Sequence, residues 1–312
     1  MILLTGATGL VGGELLPLLL SEGHDVRVLV RDPRRLGANR VKVQISLGDL
    51  SDPFSMRHAL RGVDTVIHLA ATIRDQPAGT IEELNGLATC RLLRAAERVG
   101  VERFVFFSAI NATEFQRTRF FQAKALAERA VLAAPLEGTV MAPSIVYGLG
   151  DPWITLLERL SVLPAMPISG TGDALYEPIW ARDVARCVAG ALNGTAANGG
   201  DPDRGGDEDG RRYELAGPQI LSYDGIVEEV LAALGRSRPL VHLPLPAVRA
   251  GLLALELLEG ADAFATWDEV ELMEVPMTSA RGTDDARALG VDPQPIGEVL
   301  SGAGRAAPVA QS

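Results

Sequence analysis

The chain has little cysteine, little lysine and few aromatic residues. Its 312 residues include two cysteines, and 5% of them are aromatic. Cys90 and Cys187 match no metal-ligand spacing, so we expect two buried thiols in a reducing compartment and no metal site. Among the 29 basic residues only Lys42 and Lys124 are lysines. Arginine is therefore the default cation, and each lysine suggests a specific role.

Long apolar runs and an excess of positive charge are also absent. No apolar stretch approaches the roughly twenty residues of a spanning helix, and no charged leader precedes the first apolar run. We therefore expect a cytoplasmic protein with neither a transmembrane segment nor a signal peptide. The formal net charge of −11 argues against nonspecific binding to nucleic acid or to an anionic membrane, since both need a basic surface.

The first thirty-two residues predict a strand, a tight turn, a helix and a second strand. The apolar run Ile2 to Leu4 is short enough for a buried strand, whereas Glu14 to Leu20 has helical apolar spacing. A second apolar run covers Val26 to Val30. Together they make one parallel crossover unit of about the minimum length.

Three glycines lie in the turn of this unit. Gly6 permits a sharp turn, Gly9 lets the backbone approach a diphosphate, and Gly12 lets the helix pack closely on the strand. Phosphates favour a helix N-terminus because of its free N–H groups and its dipole. We therefore predict a nicotinamide dinucleotide on this turn, bound by Gly6, Thr8, Gly9, Leu10, Val11 and Gly12.

The second strand ends at Arg31, where an NAD-selective site usually has a carboxylate for the ribose 2′-hydroxyl. Arg31, with Arg34 and Arg35 nearby, can instead neutralise a 2′-phosphate, whereas Asp32 on an extended chain points the other way. This pattern favours NADP(H), with NAD(H) as the alternative if Arg31 only stacks on adenine or faces solvent.

Further strands and helices alternate up to residue 143, which is typical of a Rossmann-type, doubly wound parallel sheet. Asp49 and Leu50 follow one predicted strand, and Ala70 and Ala71 end another; open parallel sheets bind ligands at such strand ends. We interpret His68, inside a buried strand, as a core histidine. Predicted strands cover 41–46, 65–71, 103–108 and 139–143, and predicted helices cover 53–60, 81–100 and 120–132.

Several short motifs resemble those of extended and atypical short-chain dehydrogenases/reductases. They are T-G-A-T-G-L-V-G at 5–12, G-D-L at 48–50, H-L-A-A at 68–71, N-G-L-A-T at 85–89, F-V-F-F-S at 104–108, A-P-S-I-V-Y-G at 142–148 and I-W-A-R-D-V-A at 179–185. The later Y-E-L-A-G-P at 213–218 is similar to the branch that contains NmrA-like proteins and the respiratory complex I accessory subunit. The resemblance implies that the glycine turn and Asp49 bind the cofactor and that Ala70 lies near the nicotinamide ribose.

Active members of this family use a tyrosine and a lysine spaced Y-x-x-x-K, and this chain departs from that pattern. Phe120 stands four residues before Lys124, so the usual proton donor is missing. Lys124 could still bind the nicotinamide ribose or act as an acid or base with a lowered pKa. Ser108, at a strand end, is a candidate for cofactor contact and catalysis, and Tyr147 is a further candidate proton donor.

The chain divides into a nucleotide-binding domain at 1–150, to which 178–192 returns, and a smaller C-terminal α/β lobe formed by 151–177 and 213–302. The Gly- and Asp-rich stretch 193–212 is predicted to be a mobile loop, and 303–312 a disordered tail. The predicted helix 247–258 is apolar on more than one face, which fits a core helix, the face of a homodimer or a docking surface.

Two functions fit these observations. One is an NADP-linked oxidoreductase with an unusual acid, acting on an unknown carbonyl, enone or sugar-like substrate. The other is a non-catalytic dinucleotide-binding protein, such as a redox sensor or an assembly factor. The missing tyrosine favours the second function, whereas Lys124 and the second lobe favour the first.

Overall fold

The computed structural model describes residues 1–194, 211–250 and 267–303. The strands are β1 Ile2–Thr5, β2 Val26–Val30, β3 Gln44–Leu47, β4 Thr65–His68, β5 Arg103–Phe107, β6 Glu137–Pro143, β7 Val146–Tyr147, β8 Met166–Ser169, β9 Leu175–Tyr176, β10 Ile179–Trp180, β11 Arg212–Leu215, β12 Leu221–Ser222 and β13 Leu240–Leu243. Seven of them form one sheet in the order β11-β6-β5-β4-β1-β2-β3, with every pair parallel. The predicted Rossmann-type doubly wound sheet is therefore confirmed.

The helices follow the strands in the expected alternation. They are α1 Leu10–Ser21, α2 Pro53–Ala59, α3 Ala88–Val99, α4 Arg119–Leu132, α5 Pro152–Leu160, α6 Ala181–Leu192, α7 Tyr223–Ala233, α8 Trp267–Leu272, α9 Asp284–Ala288 and α10 Ile296–Ala303. A 3-10 segment covers Pro33–Val41, and a π-helical turn covers Glu83–Leu87. Local chemistry sets several ends: Asp52 caps α2 through the amides of Phe54 and Ser55, and Gly100 ends α3 in the left-handed region.

Both faces of the large sheet are covered by helices, as a parallel sheet requires. On one face, Leu15 of α1 and Val184 of α6 pack against Val28 of β2. On the other face, residues of α2, α3 and α4 such as Met56 and Leu92 form a second apolar cluster. The helix within 178–192 therefore packs on the nucleotide-binding sheet.

The strand predicted at Tyr213 to Ala216 lies in a different place from the one expected. It was assigned to the smaller lobe, but β11 hydrogen-bonds to β6 at the edge of the large sheet, with Tyr213 opposite Met141. Leu289, just after α9, packs in the same core cluster as Leu215. The apolar pattern identified a strand, but pairing depends on a free sheet edge far away in sequence, which the pattern does not reveal.

A third apolar cluster lies in the smaller lobe and includes Tyr147, Leu157, Tyr176, Val227 and Ile296. Three two-stranded sheets frame it: β7 with β10, β8 with β13, and β9 with β12. The division into domains stays a prediction. Most of the predicted loop 193–212 and of the predicted helix 247–258, and the tail after Ala303, lie outside the described residues.

The described helices include none that is both long and apolar enough to cross a lipid bilayer. This statement covers residues 1–194, 211–250 and 267–303.

Candidate nucleotide-binding site

A cleft of about 370 Å³ opens at the carboxyl ends of β1, β2, β3 and β4. It is the place where a Rossmann-type sheet holds a dinucleotide. The predicted cofactor residues that line it are Gly6, Thr8, Gly9, Arg31, Asp49, Leu50, Ala70 and Ala71. Of the described residues, the remaining predicted ones lie outside its lining: Leu10, Val11, Gly12, Ser108 and Lys124.

The glycine turn is packed so tightly that side chains are excluded at two positions. Gly6 has a φ of +76°, and a Cβ there would lie 2.6 Å from the Ala70 nitrogen. A Cβ on Gly12 would lie 2.2 Å from the Gly6 carbonyl oxygen. The Gly9 amide donates to that same carbonyl at 3.0 Å, which closes the turn. Gly6 and Gly12 therefore set the close approach of β1, β4 and α1.

The start of α1 fits a diphosphate. Gly9 is the N-cap residue, and no side chain of the described residues hydrogen-bonds to this helix end as a cap. The first turn, from Leu10 to Gly13, carries no acidic residue that would repel an anion. The amides at the helix start and the helix dipole therefore favour negative charge at this end of the cleft.

The end of β2 presents arginine to the cleft rather than a carboxylate. Arg31 and Arg35 both line it, and Arg31 is 64% exposed, with its Nε 3.8 Å from Oδ2 of Asp49. The carboxylate of Asp32 accepts a hydrogen bond from the Arg34 amide at 3.0 Å and caps the 3-10 segment Pro33–Val41. Asp32 thus faces its own backbone rather than the cleft.

Thr72 and Gln76 in the loop after β4, and Leu84 in the π-helical turn Glu83–Leu87, complete the wall of the cleft. The sequence motifs did not mark these three residues. Asn85 fixes the loop after β4: its Nδ2 donates to the carbonyls of Thr72 and Ile81 at 2.8 Å each, and its Oδ1 accepts from the Thr72 amide at 3.0 Å. Asn85 lies in the π-helical turn Glu83–Leu87, which apolar spacing cannot distinguish from α-helix. Its only sequence signal is its place in the motif N-G-L-A-T.

His68 is a core histidine, as interpreted from the sequence. Its ring nitrogens contact the hydroxyls of Thr5 at 2.7 Å and Thr89 at 2.8 Å, and the side chain is fully buried. Burial and, secondarily, the charge of Lys124 lower the pKa of His68 to about 3. A neutral imidazole with both nitrogens hydrogen-bonded holds β1, β4 and α3 together.

Lys124 lies behind the cleft on α4 and is almost completely buried. Its Nζ donates to the Phe107 carbonyl at 2.5 Å and lies 4.9 Å and 5.6 Å from the ring centroids of Phe106 and Phe120. Burial lowers the pKa of Lys124 to about 7, and the charge of Glu128 opposes part of that change. The side chain therefore holds its proton weakly at neutral pH.

Ser108 does not point into the cleft. Its Oγ donates to Oε2 of Glu128 at 2.6 Å, and Oε1 of Glu128 accepts from Nε of Arg212 at 2.6 Å. Arg212 in turn donates to Glu214 at 2.6 Å. The hydroxyl is thus part of a buried ionic network between α4 and β11. The proton of Ser108 is committed to Glu128 in this structure, and the role of Ser108 in cofactor contact or catalysis stays a prediction.

Tyr147 is fully buried in the smaller lobe's apolar cluster. Its hydroxyl has no hydrogen-bond partner among the described residues. Burial and, to a lesser degree, the charge of Asp183 raise the pKa of Tyr147 above its usual range. A proton donor must reach the substrate, and Tyr147 lies outside the cleft lining, so its role as a proton donor stays a prediction.

Comparison with known proteins agrees with this geometry. Residues 6–151 match the family model of NAD(P)H-binding domains. Residues 6–151 thus form an NAD(P)H-binding domain, and the relatives of the chain are consistent with the extended and atypical short-chain dehydrogenase/reductase superfamily. The matched residues include the glycine turn, the ends of β2, β3 and β4, and Lys124.

Two relatives illustrate the range of the family. The chain is 28% identical over 261 residues to subunit 9 of the NADH dehydrogenase (ubiquinone) 1 alpha subcomplex, a mitochondrial protein of Arabidopsis thaliana; the match covers 78% of this chain and 60% of the relative. It is 29% identical over 265 residues to a (4-alkanoyl-5-oxo-2,5-dihydrofuran-3-yl)methyl phosphate reductase of Streptomyces griseus, with 85% and 84% covered.

Among solved structures, an NADPH-dependent quinone oxidoreductase of Escherichia coli superposes with a TM-score of 0.68 at 17% identity, over 98% of this chain and 100% of that one. This likeness shows the shared fold.

Proposed function

We propose that the cleft binds NADP(H) in preference to NAD(H). The observation that carries the proposal is the lining at the end of β2, where Arg31 and Arg35 face the cleft and the Asp32 carboxylate caps its own backbone. Two guanidinium groups favour a 2′-phosphate through charge-assisted hydrogen bonds. The carboxylate that would select a free 2′-hydroxyl is engaged elsewhere.

Calorimetric titration with NADPH and NADH tests this preference. We expect tighter binding of NADPH, and a loss of about tenfold in NADPH affinity in Arg31→Ala, with little change for NADH. Arg34→Ala is the matched control, because Arg34 is exposed and is not among the residues that line the cleft. Tighter binding of NADH, or an equal loss for both nucleotides in Arg31→Ala, contradicts the proposal.

The function favoured for the bound nucleotide is reduction of a carbonyl, enone or sugar-like substrate. The nicotinamide supplies the hydride when it is bound. Lys124 is the chain's candidate proton source, because its pKa of about 7 lets it give up a proton at neutral pH; since it is buried behind the cleft, its proton would have to reach the substrate through an intervening group. Phe107 orients the ammonium through its carbonyl oxygen, and the Streptomyces relative is itself a reductase.

A second candidate is a non-catalytic nucleotide-binding protein, in which the cofactor stabilises the fold. Three observations favour it: Phe120 stands where active relatives have tyrosine, Ser108 is hydrogen-bonded to Glu128, and Tyr147 is buried. The Arabidopsis relative is a subunit of a larger complex. Both candidates require nucleotide binding, so they differ only in turnover.

NADPH oxidation with a panel of carbonyl, enone and sugar substrates separates the two candidates. The reductase predicts turnover that falls in Lys124→Ala, and Lys124→Met, which preserves side-chain bulk, shows whether the fall comes from the amine. Tyr147→Phe serves as a comparison. An unchanged rate in the Lys124 and Tyr147 variants rules out both residues as proton donors. Nucleotide binding without turnover on any substrate supports the second candidate.

Three further expectations from the sequence are also proposals. We propose a cytoplasmic location, a homodimer and an NmrA-like assignment within the superfamily, each from the sequence patterns of the chain. Cell fractionation tests the location, and light scattering of the purified chain tests the oligomeric state. Nucleic acid is not proposed as a partner, because the chain carries a net charge of −11.

A further inference from the structure

The edge of the large sheet at β3 has a charge opposite to that of the whole chain. Between residues 27 and 61 there are eight arginines and lysines and three aspartates, although the chain as a whole carries a net charge of −11. Lys42, one of two lysines in the chain, lies in this segment and has no part in the nucleotide site. Net charge alone therefore conceals a local basic surface.

The three carboxylates of this segment offset only part of its positive charge. Asp32 and Asp52 accept hydrogen bonds from backbone amides at helix starts, and Asp49 accepts from the Ser51 amide and lies 3.8 Å from Arg31. Within residues 1–194, 211–250 and 267–303, the exposed side chains of Arg40, Lys42 and Arg57 have no carboxylate oxygen within 4.0 Å.

Large apolar side chains project from the same edge. Val41 is 83% exposed, Phe54 is 74% exposed and Leu47 is 66% exposed. The guanidinium of Arg57 lies 4.8 Å from the ring centroid of Phe54, so a cation and an aromatic ring share one surface. β3 is also the last strand of the sheet among the described residues, so no described strand covers its outer edge.

We propose that this surface, the β3 edge patch formed by Arg40, Val41, Lys42, Leu47, Phe54 and Arg57, docks the protein on an anionic lipid membrane. Arginine and lysine beside exposed apolar residues match the two components of a peripheral membrane site, electrostatic attraction to acidic headgroups and shallow insertion of apolar groups. A second copy of this chain is the poorer occupant, because two such patches would bring like charges together. Nucleic acid is also a poorer occupant than a membrane, because it would make little contact with the exposed aliphatic side chains of the patch.

Sedimentation of the full chain with lipid vesicles tests the proposal. The protein should co-sediment with vesicles of phosphatidylcholine that contain about 30% phosphatidylglycerol, and not with vesicles of phosphatidylcholine alone. Raising the salt concentration should weaken the binding, because surface charges are screened. Lys42→Glu with Arg57→Glu should lower partitioning by at least about tenfold, and Val41→Ser with Phe54→Ser by a few fold.

The matched control is Arg98→Glu with Val99→Ser, a similar pair of changes at the exposed end of α3. It should bind vesicles like the wild type, and NADPH titration of every variant shows that each is folded. Failure of the wild type to bind anionic vesicles overturns the proposal. So does an equal loss in the control, binding to heparin without binding to vesicles, or a lipid-free dimer that the patch variants abolish.

Discussion

Two sides of the nucleotide-binding domain, one at the glycine turn and one around Lys124, differ in the kind of contact that determines their structure. The side at the glycine turn is built from backbone: Gly6 and Gly12 allow β1, β4 and α1 to meet at distances that exclude a side chain. The side around Lys124 is built from side chains, with Ser108, Glu128 and Arg212 joined in a buried network. The first side carries the glycine turn, whereas the second has Phe120 where the resemblance implies a tyrosine four residues before Lys124.

We expect the largest effect on stability and nucleotide binding from a substitution in the glycine turn. Gly12→Ala places a methyl group 2.2 Å from the Gly6 carbonyl, so the turn must shift. We expect a loss of about 3 kcal/mol in the free energy of unfolding and weaker NADPH binding. Urea denaturation and titration measure both.

The neighbouring glycine is the control for that change. Gly13 is in the same helix, and an added Cβ meets nothing within 4 Å. Gly13→Ala should raise the free energy of unfolding by about 0.5–1 kcal/mol, because alanine loses less backbone freedom in a helix. Equal destabilisation by both substitutions would contradict the idea that close backbone approach defines this side.

A smaller effect is expected from the buried network on the other side. Glu128→Gln leaves Glu214 as the carboxylate that still pairs with Arg212 among the described residues, and it removes the charge that Ser108 contacts. We expect a loss of about 2 kcal/mol in stability by denaturation and unchanged NADPH affinity. The exposed Glu102→Gln should change neither quantity. A large loss of NADPH affinity in Glu128→Gln would show that the two sides are coupled.

The smallest expected effect is on the pH dependence of the free energy of unfolding. The pKa of Lys124 is about 7 in the folded chain against an ordinary value of 10.5, so the unfolded chain binds more protons between these values. The contribution of Lys124 to the free energy of unfolding therefore rises with pH from about 7 to 10.5. Lys124→Met should stabilise the protein by roughly 1–2 kcal/mol near pH 7 and reduce this dependence. Denaturation at several pH values measures it, and an unchanged pH slope contradicts the buried, weakly protonated lysine.

Sequence reasoning succeeded where local chemistry determines the structure. The glycine spacing, the strand ends at Asp49 and Ala70, and the arginine after β2 all carry their signal within a few residues. The alternation of strands and helices predicted the doubly wound parallel sheet.

The remaining features depend on contacts between residues far apart in sequence. Nothing near Ser108 indicates that Glu128 accepts its proton, and nothing near Tyr213 indicates that β11 joins β6. The burial of Tyr147 likewise depends on packing by α5, α7 and α10. Whether a side chain is free to react thus depends on tertiary contacts. The sequence could identify candidate residues there, but not the direction in which their side chains point.

The central claim is that main-chain amides at the start of α1 hold the cofactor's diphosphate. A crystal structure of the chain with NADP⁺ tests it most directly. We expect diphosphate oxygens within hydrogen-bond distance of amides between Gly9 and Gly12, and the adenosine 2′-phosphate beside Arg31 and Arg35. A nucleotide bound elsewhere, with the glycine turn free of phosphate, would contradict it.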